Sequence, residues 1–133
     1  MLVELEMILR ILLAIVLGAV IGFQRGKAEK PAGLRDITLI CAGAALFTVV
    51  SIYGFDVGDQ TRVAAGIVTG IGFLGAGAII RRGEGAVVKG MTTAATVWIA
   101  AGIGMAAGAG LYIIAAVTTL MVLIVLLLPR RRA

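Results

Sequence analysis

Residues 90–128 read GMTTAATVWIAAGIGMAAGAGLYIIAAVTTLMVLIVLLL, 39 positions without a charged side chain. As one straight α-helix this segment would measure about 58 Å, roughly twice the ~30 Å hydrocarbon thickness of a bilayer. The segment therefore predicts two crossings, and its glycine-rich part, Gly102–Gly110, is the natural place for the turn between them. We place the two spans near Met91–Ala107 and Leu111–Leu128, with Pro129 ending the second.

Three further apolar runs precede this pair, near residues 7–23, 37–55 and 63–80. Each is close to the ~20 residues that one crossing requires. The whole chain is 61% hydrophobic and 14% charged, whereas a soluble domain averages about 45–50% apolar and about 25% charged residues. We therefore predict an all-α membrane protein in which residues 1–133 form a single domain, a bundle of five transmembrane helices.

The basic residues predict the orientation of this bundle. With five crossings, ten of them fall on one side: Arg25, Lys27, Lys30, Arg35, Arg81, Arg82, Lys89, Arg130, Arg131 and Arg132. Cytoplasmic connections carry an excess of Lys and Arg. We therefore expect the N-terminus outside the cell and the C-terminus in the cytoplasm.

Charge and composition also exclude several functions. The net charge of +5 would suit a nucleic-acid-binding protein, but the basic residues lie in short clusters between uncharged runs, and only 5% of the residues are aromatic. The chain has no His and a single Cys, Cys41, which excludes a Cys/His zinc site and a His-based catalytic triad. We expect no nucleic-acid partner, no cofactor and no enzymatic activity.

Small residues predict how the helices pack, because lipid tails offer no hydrophobic drive for association and close backbone contact must supply it. Pairs of glycines four residues apart occur at Gly66 and Gly70, at Gly104 and Gly108, and at Gly18 and Gly22. The fifth span is bulky over most of its length. We expect the third and fourth spans to form the packed centre, the fifth to face lipid, and the chain to self-associate.

The third span supplies a first set of candidate functional residues: Gly66, Thr69, Gly70, Gly72, Gly75 and Gly77. Their simplest role is helix packing. The alternative is a transport pathway, because a glycine-dense helix can unwind and expose carbonyl oxygens near the midplane, as broken transporter helices do.

Charged residues on the outer side form a second set: Asp56, Asp59 and Arg62. Two carboxylates offer fewer oxygen ligands than Mg²⁺ or Ca²⁺ requires, so we assign no metal here and expect Asp59 to cap the third helix. Arg10 is the only charge inside a span, four residues after Glu6. We expect it to pair with Glu6 and extend to the outer interface.

A third set lies on the basic side and forms a candidate site for an anion or an acidic partner: Arg25, Arg35, Arg81, Arg82, Lys89, Thr92 and Thr93. The start of the fourth span would add free backbone N–H groups and the positive end of a helix dipole. Two simpler interpretations remain open. The basic residues would attract anionic lipid, at about 1 kcal/mol each, and the threonines would hydrogen-bond neighbouring helices.

Five blocks in order and spacing resemble a known family: Gly33-Leu-Arg35, Gly43-Ala-Ala-Leu-Phe47, Asp59-x-x-Arg62-Val-Ala-Ala65, Thr69-Gly-Ile-Gly-Phe-Leu-Gly-Ala-Gly77 and Gly90-Met-Thr-Thr-Ala-Ala-Thr-Val-Trp98. They are similar to the MgtC/SapB family of bacterial membrane proteins. The resemblance covers about Gly22 to Gly110. It corresponds to the membrane domain, to which many family members add a soluble C-terminal domain.

This resemblance implies a multi-pass protein of the bacterial inner membrane with five spans. The family is associated with growth under magnesium limitation and with virulence, and its best-known member is described as restraining the proton-driven ATP synthase. We therefore expect a non-enzymatic regulator of Mg²⁺ or energy homeostasis that contacts lipid, further copies of itself and other membrane proteins such as ATP synthase. The alternative is a transporter or channel for Mg²⁺ or another small ion.

Overall fold

The computed structural model describes residues 2–81 and 88–129. Over these residues the chain forms five helices and one two-stranded antiparallel ladder: α1 Leu2–Lys27, α2 Leu34–Tyr53, α3 Thr61–Ala78, β1 Ile80–Arg81, β2 Val88–Lys89, α4 Met91–Gly108 and α5 Tyr112–Leu126. In the ladder, Ile80 pairs with Lys89 and Arg81 pairs with Val88. The ladder brings the end of α3 beside the start of α4.

The predicted bundle of five helices is confirmed. Within the described residues, α1, α2, α3 and α4 are long and apolar enough to cross a bilayer. The apolar helix α5 has 15 residues and is therefore about 22 Å long, shorter than the ~30 Å hydrocarbon layer. The chain is thus a multi-pass α-helical membrane protein. The fifth crossing and the orientation of the termini stay predictions.

The centre of the bundle is the contact of α1, α2 and α4 around Cys41, which is fully buried. A Cβ added to Gly18 of α1 would lie 2.9 Å from the Cβ of Cys41, and one added to Gly104 of α4 would lie 2.2 Å from the carbonyl oxygen of Cys41. The Cys41 thiol donates a hydrogen bond to the carbonyl oxygen of Ala100 at 3.2 Å. Glycine on both neighbouring helices therefore lets their backbones approach α2.

The same contact recurs one turn further along each neighbouring helix. A Cβ on Gly22 would lie 2.6 Å from Cα of Leu34, and a Cβ on Gly108 would lie 2.7 Å from the carbonyl oxygen of Ala45. Both distances are too short for any side chain. The glycine pairs of α1 and α4 are therefore helix-packing sites, as the sequence predicts.

The prediction that the third span lies in the packed centre is wrong. Gly75 is the one residue of α3 that is buried, and a Cβ there would lie 3.5 Å from the carbonyl oxygen of Ala94. At Gly66 and Gly70 no described atom comes within 4 Å of an added Cβ. Small residues permit close contact only where a neighbouring helix faces them. α3 packs on α4 through another side, and its Gly66 and Gly70 face an open space.

The predicted turn between the last two helices is confirmed. The turn between them lies at the end of the glycine-rich stretch, where Gly110 adopts φ +87°, a left-handed conformation that glycine accepts without strain. The buried residues of α5 are Ala115 and Thr119. Val122, Leu123 and Leu126 are partly buried and pack against the core. The other bulky side chains of α5 are exposed, including Ile113 and Ile114.

Candidate functional site

Two arginines lie at the ends of one buried face of α1. The buried residues of this helix are Arg10, Ala14, Leu17, Gly18, Ile21, Gly22 and Arg25. Steps of three and four residues place side chains on the same face of a helix. The face that α1 turns toward the core therefore carries a guanidinium group at each end.

Arg25 connects three parts of the chain at one end of the bundle. It is 2% exposed. Its Nη2 donates to the carbonyl oxygen of Pro31 at 2.9 Å and to Oγ1 of Thr93. Its Nε donates to the carbonyl oxygens of Pro31 and Ala32 at 3.1 and 3.3 Å, and its Nη1 donates to Oγ1 of Thr96 at 3.4 Å. Arg25 thus ties the end of α1 to the following connection and to the first turns of α4.

The residues of the predicted anion site lie in different environments. The structure brings Arg25 and Thr93 together, but their polar atoms bond each other, whereas Arg35 and Thr92 are exposed. Arg82 lies outside the described residues. Arg81 and Lys89 form part of the short ladder, and their side chains also lie outside the description. An anion site at this end stays a prediction.

Buried Arg10 forms a second cluster at the other end of the bundle, with the exposed side chains of Glu6, Tyr53 and Tyr112. It is 8% exposed and donates to Oε1 of Glu6 at 2.9 Å, to the hydroxyl of Tyr112 at 3.2 Å and to the carbonyl oxygen of Gly108 at 3.0 Å. The Tyr112 hydroxyl donates to the same carboxylate oxygen at 3.1 Å. The guanidinium carbon lies 5.3 Å from the centre of the Tyr53 ring. This cluster joins α1 to the ends of α2 and α4 and to the start of α5.

The expected pairing of Arg10 with Glu6 is confirmed. The expected extension of its side chain to the outer interface stays a prediction. Arg10 stays buried because three acceptors and an aromatic ring already surround its guanidinium. Two signals in the sequence point to this cluster. Arg10 continues the stripe of small and apolar residues on α1, and Tyr53 and Tyr112 fall at the same end of the predicted bundle.

The connection between α2 and α3 places Asp59 at the start of α3, where it was expected to act as a cap. Its Oδ1 accepts hydrogen bonds from the backbone N–H of Thr61 at 2.9 Å and from Oγ1 of Thr61 at 2.7 Å. These two bonds hold the pKa of the Asp59 carboxyl below its ordinary value. Asp56 and Arg62 are exposed. Among the residues described, no group of three or more His, Cys, Asp or Glu side chains is placed to hold a metal ion.

The candidates on α3 separate into three environments. Gly75 packs against α4, and Gly66 and Gly70 line an apolar groove between α2 and α3. Thr69, Gly72 and Gly77 are exposed. The helix is continuous from Thr61 to Ala78, so its carbonyl groups lie within regular helix rather than in an unwound segment.

Comparison with known proteins agrees with these features. The model of the MgtC family matches residues 11–132. The chain belongs to the MgtC family. The match covers α2 to α5 and most of α1, including the glycine pairs of α1 and α4 and the buried Arg25. Glu6 and Arg10 precede it in the chain. No solved structure matches this member of the family.

Several curated relatives are similar to this MgtC-family chain. The protein named "Putative magnesium transporter YhiD" of Escherichia coli K12 is 45% identical over 129 residues, which cover 91% of this chain and 59% of that protein. Protein MgtC of Brucella abortus is 49% identical over 112 residues, which cover 84% of this chain and 46% of that protein. A Synechocystis protein is 44% identical over 119 residues, which cover 90% of this chain and 50% of that protein. The chain thus spans about half the length of these relatives.

Proposed function

We propose that this chain is a non-enzymatic regulator of magnesium and energy homeostasis in the bacterial inner membrane, and that it acts by contact with other membrane proteins. The link to magnesium is supported by the printed name of the E. coli relative, which describes that protein as a magnesium transporter. The contact mechanism is supported by one observation on α3, a face of small residues that no described helix covers.

This face consists of Ala65, Thr69, Gly72 and Ala76, all of them exposed. Their spacing of four, three and four residues places them on one side of the helix. It lies opposite the side that carries Val63, Gly70 and Leu74, which faces α2. Small residues let two helices approach closely within a membrane. The small-residue face of α3 therefore suits a transmembrane helix of another molecule.

The interior of the bundle favours regulation over cation transport. A cation that moved between α1, α2 and α4 would pass Arg10 at one end and Arg25 at the other, and both are buried. Like charges repel strongly in a medium of low dielectric constant. Between the two arginines the interior is filled by Ala14, Cys41 and other close-packed residues, whereas Mg²⁺ prefers oxygen ligands in octahedral geometry.

Transport of Mg²⁺ or another small ion is the second candidate, favoured by the name of the E. coli relative and by the glycine content of α3. Purified chain in liposomes, loaded with a Mg²⁺-sensitive dye and separately with a pH-sensitive dye, distinguishes the two functions. We expect no flux above that of protein-free liposomes. Mg²⁺ or proton flux through the chain would instead indicate a transporter, provided that Gly72→Leu or Gly75→Leu abolishes the flux and the variant still folds.

Site-specific photo-cross-linking in native membranes tests the contact mechanism. A photoreactive phenylalanine analogue replaces Thr69 on the small-residue face, and in the control it replaces Ile113, which is 77% exposed on α5. We expect adducts from position 69 with another copy or with a membrane protein. The membrane part of ATP synthase is the first partner to examine, because the family resemblance suggests it.

Two further variants sharpen this experiment. Gly72→Leu should remove the adducts, because it fills the small-residue face, whereas Gly70→Leu on the opposite side of α3 should leave them unchanged. Adducts from position 113 alone, or adducts from position 69 that survive Gly72→Leu, would overturn the proposal.

The orientation with the N-terminus outside belongs to the same proposal and is supported by the basic connection between α1 and α2. Single cysteines at Lys30 and Val57, in a Cys41→Ala background, give a direct test with a membrane-impermeant maleimide on intact cells. We expect label at position 57 and none at position 30. Label at position 30 and none at position 57 would show the opposite orientation, with the N-terminus in the cytoplasm.

A further inference from the structure

An apolar groove separates α2 from α3 over most of their length. It has a volume of about 710 Å³, within the range of about 300–1,000 Å³ that is typical of small-molecule sites. Its wall on α2 runs from Leu39 to Val50 and its wall on α3 runs from Val63 to Leu74. Each wall covers eleven residue steps, or about 16 Å of helix, which is close to the depth of one leaflet of the hydrocarbon layer.

Glycines make the groove deep, and apolar side chains form its walls. Gly43 lies on the α2 wall, and Gly66 and Gly70 lie on the α3 wall. At all three positions no described atom lies within 4 Å of an added Cβ. Phe47 and Phe55, 58% and 64% exposed, stand at the open side. Polar groups buried without partners are unfavourable, so the groove suits a flexible apolar chain.

Charge differs between the two ends of the groove. Arg35 is exposed and precedes Leu39 by one turn on the same side of α2. With the exposed residues around it, Lys27, Glu29, Lys30 and Asp36, this end has a net charge of +1. The connection at the opposite end carries exposed Asp56, Asp59 and Arg62, a net charge of −1. An occupant with one negatively charged end is therefore attracted at the Arg35 end and repelled at the Asp56 end.

We propose that this groove binds an anionic phospholipid from the leaflet on the Arg35 side. One acyl chain lies along the glycines of the groove, between α2 and α3, and the phosphate lies beside Arg35. The length of the walls fits one acyl chain within one leaflet, and the charge at the ends fixes its direction. This lipid site is independent of the small-residue face of α3, which lies on the other side of that helix.

The head group must supply the selectivity of such a site. Lipid tails are as apolar as leucine, so an acyl chain gains little from the groove beyond better packing. A basic residue near the membrane surface favours an anionic lipid by about 1 kcal/mol, or about fivefold. With Arg35 close to the phosphate and two lysines nearby, we expect at least a fivefold preference for phosphatidylglycerol over phosphatidylcholine with identical acyl chains.

Native mass spectrometry tests the proposal on the full chain, released from nanodiscs that contain equal amounts of these two lipids. We expect phosphatidylglycerol to be retained at least fivefold more often than phosphatidylcholine. Gly70→Leu should remove most bound lipid because leucine fills the groove. Its matched control, Gly72→Leu on the opposite side of α3, should retain it.

A second pair of variants separates the head group from the groove. Arg35→Gln should reduce the preference about fivefold without changing the groove, and Arg62→Gln at the other end should leave it unchanged. Circular dichroism establishes that each variant is helical, and Arg35→Gln keeps the test decisive if Gly70→Leu fails to fold. Equal retention of the two lipids, or a preference that survives both Gly70→Leu and Arg35→Gln, would overturn the proposal. A cross-link between copies at position 70 would also overturn it, because a second copy would then occupy the groove.

Discussion

The helices α3 and α4 have similar compositions and opposite environments. Each has 18 residues and is rich in Gly and Ala, yet nine residues of α4 are buried and one residue of α3 is. The difference lies in what faces them. Gly104 and Gly108 meet the backbone of α2 at Cys41 and Ala45, whereas the glycines of α3 at corresponding spacing face an open groove. Small residues make a helix able to pack closely, and the neighbouring helix decides whether it does.

The largest effect we expect comes from adding one methyl group where α4 meets α2. Gly104→Ala would place a Cβ 2.2 Å from the carbonyl oxygen of Cys41 and should lower the free energy of unfolding by about 3 kcal/mol or more, because the two backbones must separate. Gly102→Ala, on the same helix, meets no described atom within 4 Å and should be neutral or stabilising by up to about 1 kcal/mol. Reversible unfolding in mixed detergent micelles measures the stability of both variants. Equal changes in the free energy of unfolding would show that Gly104 is not a close contact between α4 and α2.

The next largest effect concerns the tie between α1 and α4. Arg25→Gln takes the guanidinium donor away from the buried Oγ1 atoms of Thr93 and Thr96 and should lower the free energy of unfolding by about 2–3 kcal/mol. The matched control is Arg35→Gln, because Arg35 is exposed and its replacement should change stability by less than about 0.5 kcal/mol. The same unfolding assay applies. Indistinguishable stabilities would show that the buried arginine is dispensable to the three-helix core.

A smaller effect is expected at the opposite end of the core. Tyr112→Phe removes the hydroxyl that accepts from Arg10 and donates to Glu6, and should lower the free energy of unfolding by about 1 kcal/mol. Tyr53→Phe keeps the ring beside Arg10 and should be close to neutral. A larger loss of stability in Tyr53→Phe than in Tyr112→Phe would show that the hydrogen bonds of Tyr112 do not hold α5 against the bundle.

The smallest effect is expected at the start of α3, the loosely attached helix. The Asp59 carboxylate accepts two bonds from Thr61, which lower its pKa. Its contribution is therefore present above the ordinary Asp pKa, about 3.9, and is lost as pH falls through the lower value of the folded state. Hydrogen exchange of the first turn of α3 should be faster in Asp59→Asn than in the parent chain at pH 7, and the difference should shrink as the pH falls below the ordinary Asp pKa. A difference independent of pH would exclude the charged cap.

Much of the fold follows from the sequence because lipid imposes few solutions. The uncharged segment 90–128 is too long for one crossing, so its length predicts a turn, and the glycine-rich stretch 102–110 predicts where that turn lies. The glycine pairs of α1 and α4 indicate close packing correctly. The position of α3 does not follow, because its glycines look the same in sequence. The deciding feature is the pair of small residues on α2, Cys41 and Ala45, which stand at the height of Gly104 and Gly108.

The two arginine clusters were only partly predictable. The pairing of Glu6 with Arg10 follows from their separation of four residues. The burial of Arg10 and Arg25 depends on acceptors that are distant in sequence, such as Oγ1 of Thr93 and the carbonyl oxygen of Gly108. Both arginines nevertheless continue the stripe of small and apolar residues on α1. That stripe is the signal that would have placed them inside.

The most direct test of the contrast between α3 and the core is disulfide trapping within one chain, in native membranes and a Cys41→Ala background. A Cβ on Gly75 would lie 3.8 Å from the Cβ of Ala94, a typical Cβ separation for a disulfide. Ala64 and Ala106 lie on the α3 and α4 sides of a cavity of about 320 Å³. We predict that the pair Gly75→Cys with Ala94→Cys cross-links on oxidation and that the pair Ala64→Cys with Ala106→Cys does not. Efficient cross-linking of positions 64 and 106, or failure of positions 75 and 94 to cross-link, would contradict the placement of α3.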